Sequence, residues 1–231
     1  MYFMHSDAVW NAHPSLHALT VVAENVRAMT ANPAQLERLT AAIDRRLAAS
    51  AGESEMPEIA AWREAFSKMG LKPTQYRCAS EALLRRFRKE RSMPTFHPMV
   101  DYLNYVSMAY AIPIAAYDSD RIVDGITVRP ADGSETYLTF QGETEHPEPN
   151  ETVFADDEGN AHSRRWTFRQ SARSVVRPET ERVLIVAEAL HPTARQDLLS
   201  LEQELQAGLP DTGVRITSSK QLSSTDRRFE F

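Results

Sequence analysis

Residues 93–129 read MPTFHPMVDYLNYVSMAYAIPIAAYDSDRIVDGITVR, and the rest of the chain is organised around this stretch. Pro94 and Pro98 predict the start of a helix, because proline is favoured in the first helical turn. Pro113 predicts its end. Between these points apolar side chains recur at helical spacing, so one helix face is expected to be buried. That face consists of Val100, Leu103, Val106 and Tyr110.

A polar stripe lies beside this apolar face. Asp101, Asn104 and Ser107 are spaced three residues apart, and the apolar run after the helix leads to Asp118 and Asp120. A polar helix face that is followed by a short strand ending in acidic residues predicts a small polar pocket. The alternative is that Asn104 braces the fold and that the two acids belong to a turn.

The composition is that of an ordinary globular protein, with 231 residues, 42% hydrophobic and 25% charged. No apolar run approaches the roughly 20 residues that a membrane span needs. Residues 1–7 show no basic region followed by an apolar stretch, so no signal peptide is predicted. The one cysteine, Cys78, has no partner for an internal disulfide. We therefore predict a cytoplasmic protein that binds no membrane.

Positive charge is concentrated in one segment of an acidic chain. The net charge is −6, yet residues 63–91 hold nine basic and three acidic residues. A local basic face suits a partner with a phosphate backbone, whereas the overall charge argues against indiscriminate binding to nucleic acid such as DNA. The alternative is a solvated helix face with no partner. The candidate residues are Arg77, Arg85, Arg86, Arg88 and Lys89.

The remaining patterns predict an α/β (α+β) fold, with one mixed β-sheet covered by helices in a single domain. Residues 1–56 are expected to belong to the same domain as residues 57–217, and residues 218–231 to form a polar, loose tail. The predicted helices are 18–29, 33–47, 57–69, 79–90 and 193–207. The predicted strands are 125–129 and 136–140, joined as a hairpin, then 151–154, 161–168, 183–187 and 214–216.

Several common chemistries are excluded by the sequence. No glycine-rich phosphate loop, nucleophile elbow or zinc-ligand spacing is present, so neither a metal nor a cofactor is predicted. His5, His13 and His17 are interpreted as scattered surface histidines. Cys78 precedes a core helix and is interpreted as a small buried hydrophobe.

The central motif resembles a known family. Residues 100–106, then Pro113, then residues 117–122 resemble the core of the B3/B4 domain, the tRNA-editing domain of the bacterial phenylalanyl-tRNA synthetase β subunit. Freestanding proteins built on this domain also exist, and the later motifs are similar to those. Each motif is weak alone, but their order and spacing are specific, and the resemblance covers roughly residues 60–205. The later motifs are Arg164-Arg165-Trp166, Arg169-Gln170, and Thr180 ahead of the apolar run 183–186.

This resemblance implies an enzyme that hydrolyses the ester of a mischarged aminoacyl-tRNA. The ester is already activated, so such an enzyme need only hold the substrate and position one water, with help from the vicinal ribose hydroxyl. By resemblance Asn104 is the catalytic residue of the pocket. The implied substrate-binding residues are Ser80, Asp101, Tyr117, Asp118 and Glu188. The implied contacts to the tRNA acceptor end are Arg77, Arg85, Arg86, Arg88, Lys89, Arg164 and Arg165.

Two positions depart from the synthetase pattern. Leu103 lies where the synthetase domain has a threonine, and Ala115 where it has a histidine. Both changes remove polar groups, which argues against the synthetase's specificity for mischarged tyrosine. An acid facing the pocket would favour a cationic side chain, because a guanidinium needs a carboxylate partner. Freestanding relatives resemble deacylases of canavanyl-tRNA(Arg), which is our substrate hypothesis.

Three interpretations stay open on the sequence. The first is the deacylase. The second is a non-catalytic module that binds tRNA or an amino acid, and the third is a hydrolase of small amino-acid esters. Arg164 and Arg165 either contact the acceptor end while Trp166 stacks on a base, or they lie on the surface over a buried Trp166. Strand alternation predicts that Arg165 faces away from the other two.

Overall fold

The computed structural model describes residues 1–231 as six helices and twelve strands. Local sequence sets the helix starts. Asn32 caps the second helix by accepting a hydrogen bond from the Gln35 backbone, and His97 caps the fifth through Nδ1, 3.1 Å from the Met99 nitrogen. The helices are α1 (Asp7–Ala12), α2 (Pro33–Ala48), α3 (Pro57–Lys68), α4 (Ala79–Glu90), α5 (Pro98–Tyr110) and α6 (Ala194–Gly208). None of them is long and apolar enough to cross a membrane.

The strands form three sheets. They are β1 (Tyr2–His5), β2 (His17–Glu24), β3 (Ile114–Asp118), β4 (Gly125–Pro130), β5 (Tyr137–Leu138), β6 (Thr144–Glu145), β7 (Thr152–Asp156), β8 (Ala161–Arg164), β9 (Arg169–Gln170), β10 (Arg182–Ala189), β11 (Arg215–Leu222) and β12 (Arg228–Glu230). One sheet has the order β12-β1-β4-β7-β8-β9, the second β11-β2-β10-β3, and β5 pairs with β6. Only β1 and β4 run parallel. The predicted α/β class is confirmed, with two main sheets in place of one.

The four-stranded sheet separates two hydrophobic clusters, and β10 shows why. Its alternate side chains point to opposite faces of the sheet. Leu184 and Val186 pack into one cluster, together with the three tryptophans. Val183 and Ile185 pack into the other, together with Leu103 of α5. A strand buried on both faces reads as a continuous apolar run, which is how residues 183–187 appear in the sequence.

The structure corrects several predicted elements. Residues 18–29 were expected to form one helix, but residues 18–24 lie in β2 and only residues 26–28 form a short 3-10 helix, because a continuous apolar run fits a doubly buried strand as well as a helix. The predicted hairpin between 125–129 and 136–140 does not form, since β4 pairs with β1 and β7. The predicted loose tail forms the end of β11 and all of β12, and Phe229 is buried.

The predicted strand 161–168 stops at Arg164. Arg165 and Trp166 follow with φ angles of 47° and 59°, in the left-handed region. This conformation is unusual for side chains with a Cβ, and for a bulky tryptophan it is strained. Arg165 lies in the turn between β8 and β9, so its side-chain direction does not follow strand alternation.

Candidate functional site

Two adjoining cavities lie between α5, β3, β10 and the turn from β8 to β9, and they share Ile114 and Gln170. The outer cavity, of about 550 Å³, is lined by Phe96, Val100, Leu103, Asn104, Ala116, Phe140, Val175 and Val176 besides the shared pair. The inner cavity, of about 70 Å³, is smaller and more polar. Its lining includes Ala115, Tyr117, Ser163, Trp166, Arg169 and Glu188.

Glu188 is the acid of the inner cavity. It is 2% exposed, and β10 carries it beside the start of β3, where its backbone nitrogen lies 3.4 Å from the Pro113 carbonyl oxygen. Its Oε1 accepts a hydrogen bond from Trp166 Nε1 at 2.9 Å and lies 2.6 Å from His5 Nε2. A buried carboxylate needs such partners. Because both contacts use Oε1, Oε2 is the atom available to a ligand.

The strained turn places Trp166 under this carboxylate. The Trp166 backbone nitrogen donates to the Thr152 carbonyl oxygen at 2.8 Å, and its ring is fully buried. Trp62 and His13 pack edge-on against the ring, at centroid distances of 5.0 and 4.8 Å. Burial lowers the pKa of His13. The left-handed backbone at Trp166 is thus held by packing on several sides.

The other polar groups of the inner cavity are fixed by hydrogen bonds. Tyr117 Oη and Ser163 Oγ are 2.8 Å apart, and burial raises the pKa of Tyr117, so its hydroxyl stays neutral. Gln170 Nε2 donates to the Ala116 carbonyl oxygen at 2.8 Å. These contacts leave a small preorganised set of polar groups around an acid.

Asn104 lines the outer cavity from α5 and is half-buried. Among the residues around it, only Gln170 also carries a polar side chain. Leu103 and Ala115, the two departures from the synthetase pattern, line the outer and inner cavity respectively. Asn104 is therefore placed to contact a ligand in the outer cavity.

Three other predicted substrate-binding residues line neither cavity. Asp118 is buried and accepts hydrogen bonds from the Asp120 backbone at 3.1 Å and from Thr180 Oγ1 at 2.8 Å, which is the turn role left open above. Asp101 accepts from the Phe96 backbone at 3.0 Å at the start of α5. Ser80 is buried, with its hydroxyl 3.4 Å from the Cys78 sulfur.

The predicted basic face on α4 is largely neutralised by carboxylates. Arg85 and Arg88 flank Glu53, at 3.7 and 2.6 Å, and Glu53 comes from outside the basic segment. Arg77 lies 3.4 Å from Glu81. Arg86 forms an ion pair with Glu90 at 2.8 Å, while Lys89 makes no ion pair.

Arg164 is held inside the domain. It is 5% exposed and forms a bidentate pair with Glu151, with N–O distances of 2.8 and 2.9 Å, and a second pair with Glu145 at 2.6 Å. Arg165 is half-buried, with its guanidinium 5.0 Å from the centre of the Tyr76 ring. Trp166 is thus part of the core, as in the second interpretation, but Arg164 is buried and not on the surface as that interpretation expected.

The histidines were interpreted wrongly as scattered surface residues, since His5 and His13 are both buried. A group of ligand-type atoms, from Glu58, His191 and Asp197, lies within 4.8 Å of one another. Glu58 is paired with Arg46 at 2.7 Å, and His191 with Asp197 at 2.7 Å. This group lines neither cavity.

A serine, a histidine and an aspartate also meet outside the cavities. Ser174 Oγ lies 2.8 Å from His162 Nδ1, and His162 Nε2 lies 3.2 Å from Asp156 Oδ2. Ser174 and His162 are 0% exposed and Asp156 is 4% exposed. A nucleophile must reach its substrate, so this buried chain is a structural element that joins the segment after β9 to β7 and β8.

The chain is similar to known proteins over part of its length. A family model described as the B3/4 domain matches residues 61–205. The chain is 33% identical over 76 residues to the phenylalanine–tRNA ligase β subunit of Chromobacterium violaceum and 40% identical over 63 residues to that of Coxiella burnetii. These segments cover 33% and 27% of this chain but only 10% and 8% of the two subunits. The chain thus matches a small part of these relatives.

A solved structure is also similar in part. It is an N-terminal fragment of the phenylalanyl-tRNA synthetase β subunit from Pyrococcus horikoshii. The alignment covers 96% of this chain and 54% of the fragment, at 10% identity and a TM-score of 0.49.

Proposed function

The chain belongs to the B3/4 domain family, and we propose that it is a freestanding aminoacyl-tRNA deacylase that hydrolyses the ester of a mischarged tRNA. The observation that carries this proposal is the pair of adjoining cavities. The inner cavity contains the acid Glu188 among hydrogen-bonded polar groups. The outer cavity is larger, and its lining is apolar apart from Asn104 and Gln170. The two synthetase subunits that match part of the chain are ligases for phenylalanine and its tRNA, which supports an aminoacyl ester as the substrate.

In this proposal the end of the amino-acid side chain enters the inner cavity. A cationic end would pair with Glu188 Oε2, because Oε1 is already occupied by Trp166 and His5. Arginine analogues such as canavanine, carried on tRNA(Arg), are the substrates that fit this chemistry. Leu103 and Ala115 supply no polar partner for a tyrosine hydroxyl.

The ester and ribose would lie in the outer cavity. Asn104 would orient the attacking water or stabilise the developing oxyanion through its amide. No side-chain nucleophile is needed, because the vicinal ribose hydroxyl assists the water and the ester bond is already reactive. The carbonyl carbon gains the water oxygen, the bond to the ester oxygen of the ribose breaks, and that leaving oxygen takes up the proton that the water loses.

The test is deacylation of canavanyl-tRNA(Arg), arginyl-tRNA(Arg) and tyrosyl-tRNA(Phe) by the pure protein. We expect hydrolysis of the canavanyl ester, with the arginyl ester spared. Asn104→Ala should lower kcat about 100-fold with tRNA binding retained. The same change at the exposed Asn11 serves as the control.

Two outcomes would replace the proposal. Binding of tRNA without hydrolysis of any ester would make the protein a binding module. Hydrolysis of free amino-acid esters, with aminoacyl-tRNA spared, would make it a small-ester hydrolase.

A further inference from the structure

Most arginines of the protein are paired with carboxylates, and half of those that are not lie in one short segment. Of the 22 arginines, sixteen form an ion pair within 4 Å. Three of the other six lie within residues 169–177, here called the arginine segment, which contains no acid. They are Arg169, Arg173 and Arg177. The remaining three, Arg45, Arg121 and Arg195, are far apart in the sequence.

The arginine segment forms part of both cavity walls. Arg169 lines the inner cavity, and Val175 and Val176 line the outer one. Buried side chains fix the segment to the fold at two points. Ser174 contacts His162, and the Arg177 backbone nitrogen donates to Thr180 Oγ1 at 2.9 Å. Its unpaired charge is therefore held beside the site.

The rim of the outer cavity carries exposed aromatic rings. Phe96 is 72% exposed and Phe140 is 64% exposed, against 38% for Met1 and Leu199, the other exposed large apolar residues. Phe96 and Phe140 line the same cavity although they are 44 residues apart in the sequence. Exposed apolar groups that converge on one opening mark a binding surface.

We propose that this rim binds the single-stranded 3′ end of tRNA, an inference that rests on the proposed deacylase function. Phe96 and Phe140 would stack on the terminal bases, because every base presents a flat π-face. The arginine segment would neutralise the adjacent phosphates, since its guanidinium groups have no carboxylate to release first. This surface is distinct from α4, whose arginines are paired.

The experiment measures binding of two uncharged RNAs: a complete tRNA(Arg) and the same tRNA trimmed of its single-stranded 3′ end. Wild-type protein should bind the complete tRNA more tightly. Phe96→Ala/Phe140→Ala should weaken binding of the complete tRNA about 10- to 100-fold and leave binding of the trimmed tRNA unchanged. Because both rings are exposed, truncating them leaves the core intact, which thermal unfolding verifies.

Charge reversal tests the arginine segment. Arg169→Glu/Arg177→Glu should weaken binding and reduce the slope of log affinity against log salt by about 2. The matched control, Arg45→Glu/Arg195→Glu, makes the same change in net charge at two exposed arginines that are also unpaired. It should retain most of the wild-type affinity and slope.

The inference is overturned if the control weakens binding as much as the segment variant does. Equal binding of complete and trimmed tRNA by the wild type would also overturn it, as would an unaffected phenylalanine variant. These results do not depend on turnover. If the wild type deacylates tRNA and the rim variants bind tRNA normally, the rim proposal is wrong and the deacylase proposal stands. If tRNA binding depends on the rim but no ester is hydrolysed, the deacylase proposal is wrong and the rim proposal stands.

Discussion

Replacing Asp156 with asparagine should destabilise the protein and remove part of its acid sensitivity. The carboxylate accepts hydrogen bonds from the backbones of Val123, Glu158 and Asn160, at 3.2, 3.1 and 2.8 Å. The Asn160 side chain donates to it at 3.0 Å, and His162 lies 3.2 Å away. An asparagine at 156 turns an amino group toward several of these donors, which leaves buried donors unsatisfied.

The shift in the pKa of Asp156 gives the size of the expected loss of stability. Burial works to raise this pKa, but hydrogen bonds from His162 and Asn160 outweigh it and lower the pKa from 3.8 to about 2. The shift corresponds to about 2 kcal/mol in the free energy of unfolding. Because the folded pKa is the lower one, this stability is fully present above pH 4 and is lost as the pH falls toward 2, with about half gone at pH 3.

Urea unfolding between pH 3 and pH 6 measures this effect. Asp156→Asn should lower the free energy of unfolding at pH 6 by about 2 kcal/mol or more, and the gap to wild type should narrow as the pH falls. Asp120→Asn, at an exposed aspartate, should change it by less than about 0.5 kcal/mol. A gap that is absent at pH 6, or that stays constant down to pH 3, would refute the reasoning.

Two further predictions concern buried groups. Arg164→Ala leaves Glu151 buried without its bidentate partner and should lower the free energy of unfolding by about 3 kcal/mol in urea titrations, whereas a loss below 1 kcal/mol would show that Glu151 is solvated. Burial raises the pKa of the Cys78 thiol to about 11, so iodoacetamide should label native protein at pH 8 far more slowly than protein in urea, and equal rates would contradict the buried placement.

The central helix follows from local pattern. Proline positions and apolar spacing predicted a helix between Pro98 and Pro113, and α5 is Pro98–Tyr110. This prediction succeeds because helix periodicity is a property of a short segment. The cavity residues came instead from the family resemblance, which put Asn104, Tyr117 and Glu188 in one pocket. All three line the adjoining cavities, and their roles stay predictions.

Contacts between segments that are distant in the sequence could not be predicted from local pattern. His5 meets Glu188 across 183 residues of sequence. That contact requires β1 to pair with β4 in parallel, whereas residues 1–7 show only a short apolar piece around Phe3. The left-handed turn at Trp166 is equally hidden, because neither of its central residues is glycine or asparagine, the usual signals for that conformation.

The charge on α4 shows why net charge along a sequence is a poor guide to a binding surface. The segment 63–91 holds nine basic and three acidic residues, but Glu53 and Asp44, which lie outside it in sequence, pair with its arginines in space. A phosphate that approached Arg88 would have to compete with a carboxylate at 2.6 Å. Arg169, Arg173 and Arg177 of the arginine segment have no carboxylate within 4 Å, so an incoming phosphate would displace none. Unpaired charge, which only the fold reveals, is therefore the quantity on which the proposed nucleic-acid surface rests.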